Sequence, residues 1–208
     1  SNVRMPEPPT PPTNPEIPVT TIGAQGNSKL LAATSYYYIT GTSSSGMRTE
    51  SCSDSAEQNP SRRNLGYMDA GNCSRCELTV ERSGYYSLWP RMASGNGAGS
   101  QNTISFNFDG MPGVQFTIGD TGGWQNWISP EAKTLYLSAG THRMMLYCTT
   151  GGYNLGVLNF DPLPSYDIAI SEMENCAVIK SQPMGRPDAT INLTPAPNAG
   201  YCLKENSM

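Results

Sequence analysis

Ile104, Phe106 and Phe108 alternate with Ser105, Asn107 and Asp109, and beyond an Asp109-Gly110 turn Val114, Phe116 and Ile118 repeat the pattern. A period of two puts apolar side chains on one face of a strand, and Asp-Gly suits a tight reversal. The same grammar recurs along the chain. Cys76, Leu78 and Val80 share a face; Ser83-Gly84 turns; 85–93 runs extended; Ala139-Gly140 separates 133–137 from 143–148. Further extended segments are expected at 28–39, 46–50, 64–71 and 155–160. No stretch has the three-to-four spacing of an amphipathic helix. With 21 Gly, 17 Pro and only 14% charged residues, the composition also favours short strands joined by turns. About nine to eleven strands predict an all-β fold, an antiparallel β-sandwich or jelly roll.

That sandwich is expected over 28–162. Residues 1–22 carry Pro6, Pro8, Pro9, Pro11, Pro12, Pro15 and Pro18, which reads as a semi-rigid Pro-rich linker with something tethered upstream. Residues 165–208 form a C-terminal extension in which Cys176 and Cys202 bracket a loop rich in Pro, Asn and Thr. These two are expected to pair and staple it. The six cysteines are Cys52, Cys73, Cys76, Cys148, Cys176 and Cys202. An even number in a chain poor in Lys and Glu implies disulfides and a secreted or cell-surface location. Cys73-Ser-Arg-Cys76 has redox or zinc spacing, but His142 is the only histidine and the motif runs into a strand. Strand residues three apart face opposite sides, so each cysteine is expected to bond elsewhere. A net charge of −4 argues against nucleic acid or an anionic membrane as partner. No apolar run approaches the ~18 residues of a membrane span. A monomer is expected.

Function points to the polar loop Gly119-Asp-Thr-Gly-Gly-Trp-Gln-Asn-Trp-Ile128, which holds Trp124 and Trp127. An aromatic ring at a loop mouth offers an apolar face with a polar rim, which suits the C–H face of a sugar. Residues 149–154 make a second candidate binding loop. Catalysis is not expected. One histidine supports no persuasive Ser/His/Asp order, and no motif singles out a facing pair among Glu50, Asp54, Asp69 and Asp120. His142 itself is expected to be structural.

Six segments in order then carry a resemblance. They are Gly46-Met-Arg-Thr-Glu50, Asn64-Leu-Gly-Tyr-Met-Asp-Ala-Gly71, Ser83-Gly-Tyr-Tyr-Ser-Leu-Trp-Pro-Arg-Met-Ala-Ser94, Asp120-Thr-Gly-Gly-Trp-Gln-Asn-Trp127, Ala139-Gly-Thr-His142 and Gly152-Tyr-Asn-Leu155. Over about 28–162 the chain resembles a family 6 carbohydrate-binding module. The resemblance implies a jelly-roll sandwich and a lectin-like, non-catalytic module for a polysaccharide or oligosaccharide. It also implies a loop-edge cleft that stacks a sugar between a Tyr and a Trp. The Tyr matches Tyr67. The Trp matches Trp127 in preference to Trp124. Asn154 and Glu50 match polar partners for hydroxyls, and Tyr153 adds a wall.

Two departures from the family accompany the match. Its Glu-x-Glu pair for a structural calcium is replaced by Leu31-Ala-Ala33, which puts that site in doubt, although Asp161 remains. No other cofactor is expected. Its aromatic pair after Asp-Ala-Gly is replaced by Cys73 and Cys76. The resemblance thereby suggests Cys52 with Cys73 and Cys76 with Cys148 as substitute clamps. The expected role is an accessory module that targets an attached secreted glycoside hydrolase. The alternatives are a glycan-binding adhesin or cell-surface domain, or a structural, protein-binding sandwich with a decayed cleft.

Overall fold

The computed structural model describes residues 18–36, 38–40 and 46–203; the Pro-rich part of the expected linker, up to residue 17, lies outside them. Every regular element among the described residues is a strand. In chain order they are β1 (Val19–Ile22), β2 (Ser28–Leu31), β3 (Tyr38–Thr40), β4 (Arg48–Ser51), β5 (Arg63–Gly66), β6 (Cys73–Val80), β7 (Gly84–Ser94) and β8 (Asn102–Phe108). Then follow β9 (Met111–Ile118), β10 (Gly123–Ile128), β11 (Lys133–Leu137), β12 (Gly140–Cys148), β13 (Asn154–Pro162), β14 (Cys176–Lys180) and β15 (Leu193–Pro197). The chain divides into two compact units, 1–162 and 163–208.

The first unit is a sandwich. One sheet runs β1-β6-β12-β8-β9, with β3 beside β1 on the same edge of β6; the other runs β10-β7-β13-β5-β4, with β11 on β7 and β2 on β13. Inward-facing residues of both sheets make the core. Leu78, Leu146, Phe106 and Phe116 come from the first, and Tyr86, Leu88, Leu155 and Phe160 from the second. Alternate positions supply them, as the period-two reading requires. One offset breaks the rule: Leu155 and Leu158 both reach the core although three apart. A register shift between them against β7 accounts for it, since a bulge flips the face that follows.

Three expectations are corrected here. The extended segment at 28–39 is broken at 32–35, where Thr34 N–H and Ser35 N–H both donate to the Leu31 carbonyl. Residues 19–22, placed in the linker, form β1 and pair in parallel with β6. The Trp loop is not a loop throughout, because 123–128 form β10. His142 is buried, with Nδ1 2.6 Å from Asp109 Oδ2 and Nε2 2.7 Å from the Ser138 carbonyl. It ties the β8–β9 turn to the β11–β12 turn.

No disulfide joins the six cysteines in this structure, so the expected pairs are not found. Cys76 lies opposite Met144 in the β6–β12 ladder, and Cys148 is four residues further along. That is roughly 13 Å of strand, far beyond the ~7 Å that a disulfide spans. Cys73 belongs to the other face of β6 from Cys76, which joins the core. Cys52 accepts a weak hydrogen bond from Asn59 Nδ2 at 3.4 Å. In the second unit the staple is the β14–β15 ladder itself, which pairs Cys176 with Pro197.

Burial pushes the Cys76 and Cys148 thiols up from an ordinary 9.0 to about 12. Below pH 9 their stabilising effect is complete. Between 9.0 and about 12 the unfolded chain sheds protons that the native state keeps, so stability falls as pH rises. In native alkylation at about pH 8, exposed Cys202 reacts first and the four buried thiols are protected. After unfolding without reductant all six label, as counted by mass; fewer would mean that bonds exist.

Candidate functional site

At one end of the sandwich a cleft of about 570 Å³ opens among Glu50, Tyr67, Met68, Asp69, Asn96, Trp124, Gln125, Gly152, Tyr153 and Asn154. Its lining comes from β4, β10, the start of β13 with the loop before it, and the loops after β5 and β7. Tyr67 and Trp124 are its aromatic rims, 47% and 48% exposed. Singly exposed aromatics are ordinary, but two bordering one cleft make a shared apolar surface of the kind that meets a ligand.

Tyr67 sits just past β5 with φ of 56°, left-handed backbone that bulky residues avoid. Such strain collects at functional positions. The Arg48 guanidinium lies 3.6 Å from its ring centroid. Arg48 is not part of the lining; its guanidinium packs on the ring as a cation–π partner. Trp124 leans on Gly95: a Cβ at residue 95 would fall 2.9 Å from the indole Nε1.

Strand geometry separates the two tryptophans. Burial alternates strictly along β10, with Trp124 out and Trp127 in. Trp127 packs over Gly156 and donates its Nε1–H to Gln125 Oε1 at 3.2 Å. The structure therefore brings Glu50, Tyr67, Trp124, Tyr153 and Asn154 to one cleft and leaves Trp127 outside its lining. Tyr153 is fully buried and forms floor, not wall. Burial raises its phenol well above the ordinary range, with the neighbouring Cys148 adding to the shift.

The floor is a hydrogen-bonded net. Asn154 Nδ2 donates to Glu50 Oε1 at 2.8 Å and to the Trp124 carbonyl at 2.7 Å. Asn64 Nδ2 donates to the same Glu50 oxygen at 3.0 Å. Gln125 Nε2 donates to Asn64 Oδ1 at 3.2 Å, and Gln125 Oε1 accepts from Ser53 N–H at 2.8 Å. Asn64, Asp69, Asn96, Gln125 and Arg48 were missed as site residues. Arg48, Asn64, Asp69 and Gln125 lie within the segments that carry the resemblance, and Asp69 was weighed only as a catalytic acid; Asn96 lies outside them.

Gly66 keeps this net in register. A Cβ there would sit 2.7 Å from Glu50 Oε1 and 2.9 Å from Asn154 Oδ1. Gly66→Ala should therefore push both groups aside while the core stays intact. We expect glycan affinity to fall roughly tenfold with a melting temperature within a few degrees of wild type. Calorimetric titration beside a thermal melt checks both.

No group of three or more His, Cys, Asp or Glu able to hold a metal occurs among the described residues. At the positions matched to the calcium carboxylates stand Leu31, half-buried, and Ala33, a buried methyl group. Asp161 instead accepts a hydrogen bond from Asn27 Nδ2 at 2.9 Å. These residues do not fit a calcium ion. Among the described residues no helix is long and apolar enough to cross a membrane.

Comparison with known proteins agrees with this architecture. The C-terminal family 6 module of LamC, a marine laminarinase from Zobellia galactanivorans, is 27% identical, with a TM-score of 0.54 over 65% of this chain and 99% of that one. A family 6 module of Cellvibrio mixtus lichenase 5A, solved with cellotriose, is 26% identical, with a TM-score of 0.52 over 66% and 98%. A β-1,3-glucan-binding module from Bacillus halodurans, 19% identical with a TM-score of 0.51 over 69% and 98%, shares the fold. None of the curated proteins matches the chain in sequence. The family profile described as carbohydrate binding module (family 6) matches residues 39–162, more than half of the chain. The chain belongs to carbohydrate-binding module family 6, a family of non-catalytic modules.

Proposed function

We propose that the cleft grips a pyranose of a β-glucan-type chain between Tyr67 and Trp124, with Glu50 and Asn154 fixing its hydroxyls, and breaks no bond. The observation that carries this is the open cleft between two half-exposed rings, which no side chain of the protein fills. An unfilled cleft favours a working site over a decayed one. Aromatic burial supplies most of the affinity, and the polar floor supplies orientation. The solved relatives at 26% and 27% identity come from a lichenase and a laminarinase, which supports a β-glucan ligand.

One shallow cleft gives weak binding, about 10–1000 μM. Tethering makes such weakness useful. Held beside a secreted glycoside hydrolase by the Pro-rich segment, the module raises the local concentration of that enzyme on its polymer. Affinity electrophoresis through laminarin and mixed-linkage glucan tests the ligand. Wild type should be retarded, and Tyr67→Ala should migrate freely while keeping its fold. Unretarded wild type in every glucan, confirmed by silent titrations with the soluble oligosaccharides, would refute the reading.

A further inference from the structure

The polar side chains around the cleft differ in what they have left to offer a ligand. Asn154 spends both amide hydrogens inside the protein, on Glu50 Oε1 and the Trp124 carbonyl. Asn64 does the same toward Glu50 Oε1 and the Leu65 carbonyl. Those contacts fix the amide orientation, because a flipped Asn154 would aim its oxygen at a carboxylate and a carbonyl. What Asn154 can present is an acceptor. Glu50 and Asp69 also line the cleft, and a carboxylate only accepts. The lining contains these two acids and no Lys, Arg or His. Arg48 lies against the Tyr67 ring and is not part of the lining.

We propose that the cleft selects glycans by charge: it takes rings that approach with hydroxyl or ammonium donors and rejects rings that carry carboxylate or sulfate. The inference rests on the reading that this cleft binds sugar, and it adds amino sugars as the favoured ligand class. A neutral hydroxyl donates to Glu50 or Asp69 without penalty. A uronate meets two like charges, and the lining offers it no cation, only the neutral amide donors of Asn96 and Gln125. An ammonium in place of a hydroxyl gains what the uronate loses. For charges about 6 Å apart at a partly wet site, each carboxylate shifts affinity roughly three- to tenfold in either direction. Salt should erode the effect, because the cleft is open to solvent.

A series with one linkage and one ring shape isolates charge from fit. Cellotriose, the same trisaccharide oxidised to carboxylate at C6, and the β-1,4 trimer of glucosamine are titrated calorimetrically into wild type. The buffer is at about pH 6, where the sugar amine is protonated, in low salt and again near 150 mM. Laminaritriose serves as a second neutral probe. The expected order is glucosamine trimer tightest, cellotriose next at least threefold weaker, and the uronate weakest by at least a further fivefold. Added salt and Asp69→Asn should each compress this spread. A uronate that binds as well as cellotriose, or a glucosamine trimer that binds no better, overturns the charge proposal and leaves the glycan reading intact. Tighter binding of the uronate would hand selection to Arg48 and overturn it as well. Silence from all four sugars would remove the glycan reading and this inference with it.

Discussion

Trp124→Ala should abolish measurable glycan binding, while Trp127→Ala should leave it within a few-fold of wild type and cost fold stability instead. The two residues lie three apart on β10 and differ only in which way they face. Trp124 presents a half-exposed indole to the cleft, braced from behind by Gly95. One face of that ring buries about 60–80 Å² against a sugar, worth ~1.5–2 kcal/mol, with ~0.5–1.5 more for the stacking geometry. Losing some 2–3 kcal/mol weakens a micromolar binder by about 30–150-fold, beyond the reach of affinity electrophoresis. Trp127 instead packs over Gly156 and bonds Gln125. Its removal opens a cavity under the strand and should lower stability by roughly 1–3 kcal/mol. Titration and thermal melting of both variants separate the roles. If Trp127→Ala lost binding while folded, and Trp124→Ala kept it, the sugar would have to bind somewhere other than this cleft.

That reversal of preference shows where the sequence was legible. Period-two alternation found β6, β8 and β9 and ended β6 and β9 where they end, although both begin three residues earlier than it placed them, because apolar spacing on a half-buried sheet is a local property of the chain. The same rule, applied to 123–128, would have separated the tryptophans. Gly and polar residues made that stretch look like loop, although β10 meets β7 at only two register points, Gly123 with Ser94 and Ile128 with Met92. The floor of the cleft was harder still. Glu50 and Asn154 meet across 104 positions of sequence because β5 lies between β4 and β13 in the sheet. No spacing in the chain announces that order; only the family resemblance put both residues on the candidate list. Counting cysteines could not assign pairs for a related reason. Parity speaks to compartment, whereas bonding needs two sulfurs within reach, and the ladder holds Cys76 and Cys148 four residues out of register.

Asp54→Ala should be the most damaging single change outside the core. Arg91 leaves β7 and meets Asp54 through two parallel bonds, Nε to Oδ2 and Nη2 to Oδ1, both 2.8 Å. The same guanidinium reaches the Trp127 carbonyl and Ser129 Oγ, each at 3.3 Å. It thus supplies some of the cross-links that the sparse β10–β7 ladder lacks. The side chains are 15% and 6% exposed, so removing the carboxylate strands a mostly buried cation. Breaking one half of such a pair costs about 3–5 kcal/mol; discounted for the solvent that still reaches Arg91, ~3 kcal/mol is expected. For a chain of this size that is a fall of roughly 6–12 °C in Tm. Asp54→Asn keeps an acceptor and should cost about half as much. Pairing Asp54→Ala with Arg91→Met removes the orphan charge, so the double variant should be more stable than Asp54→Ala alone. Sugar affinity should fall in step with the single variant, because β10 carries Trp124 and loses its anchor. Thermal melts of the three variants decide the matter. A double variant no better than the single would mean that packing, and not the stranded charge, sets the cost.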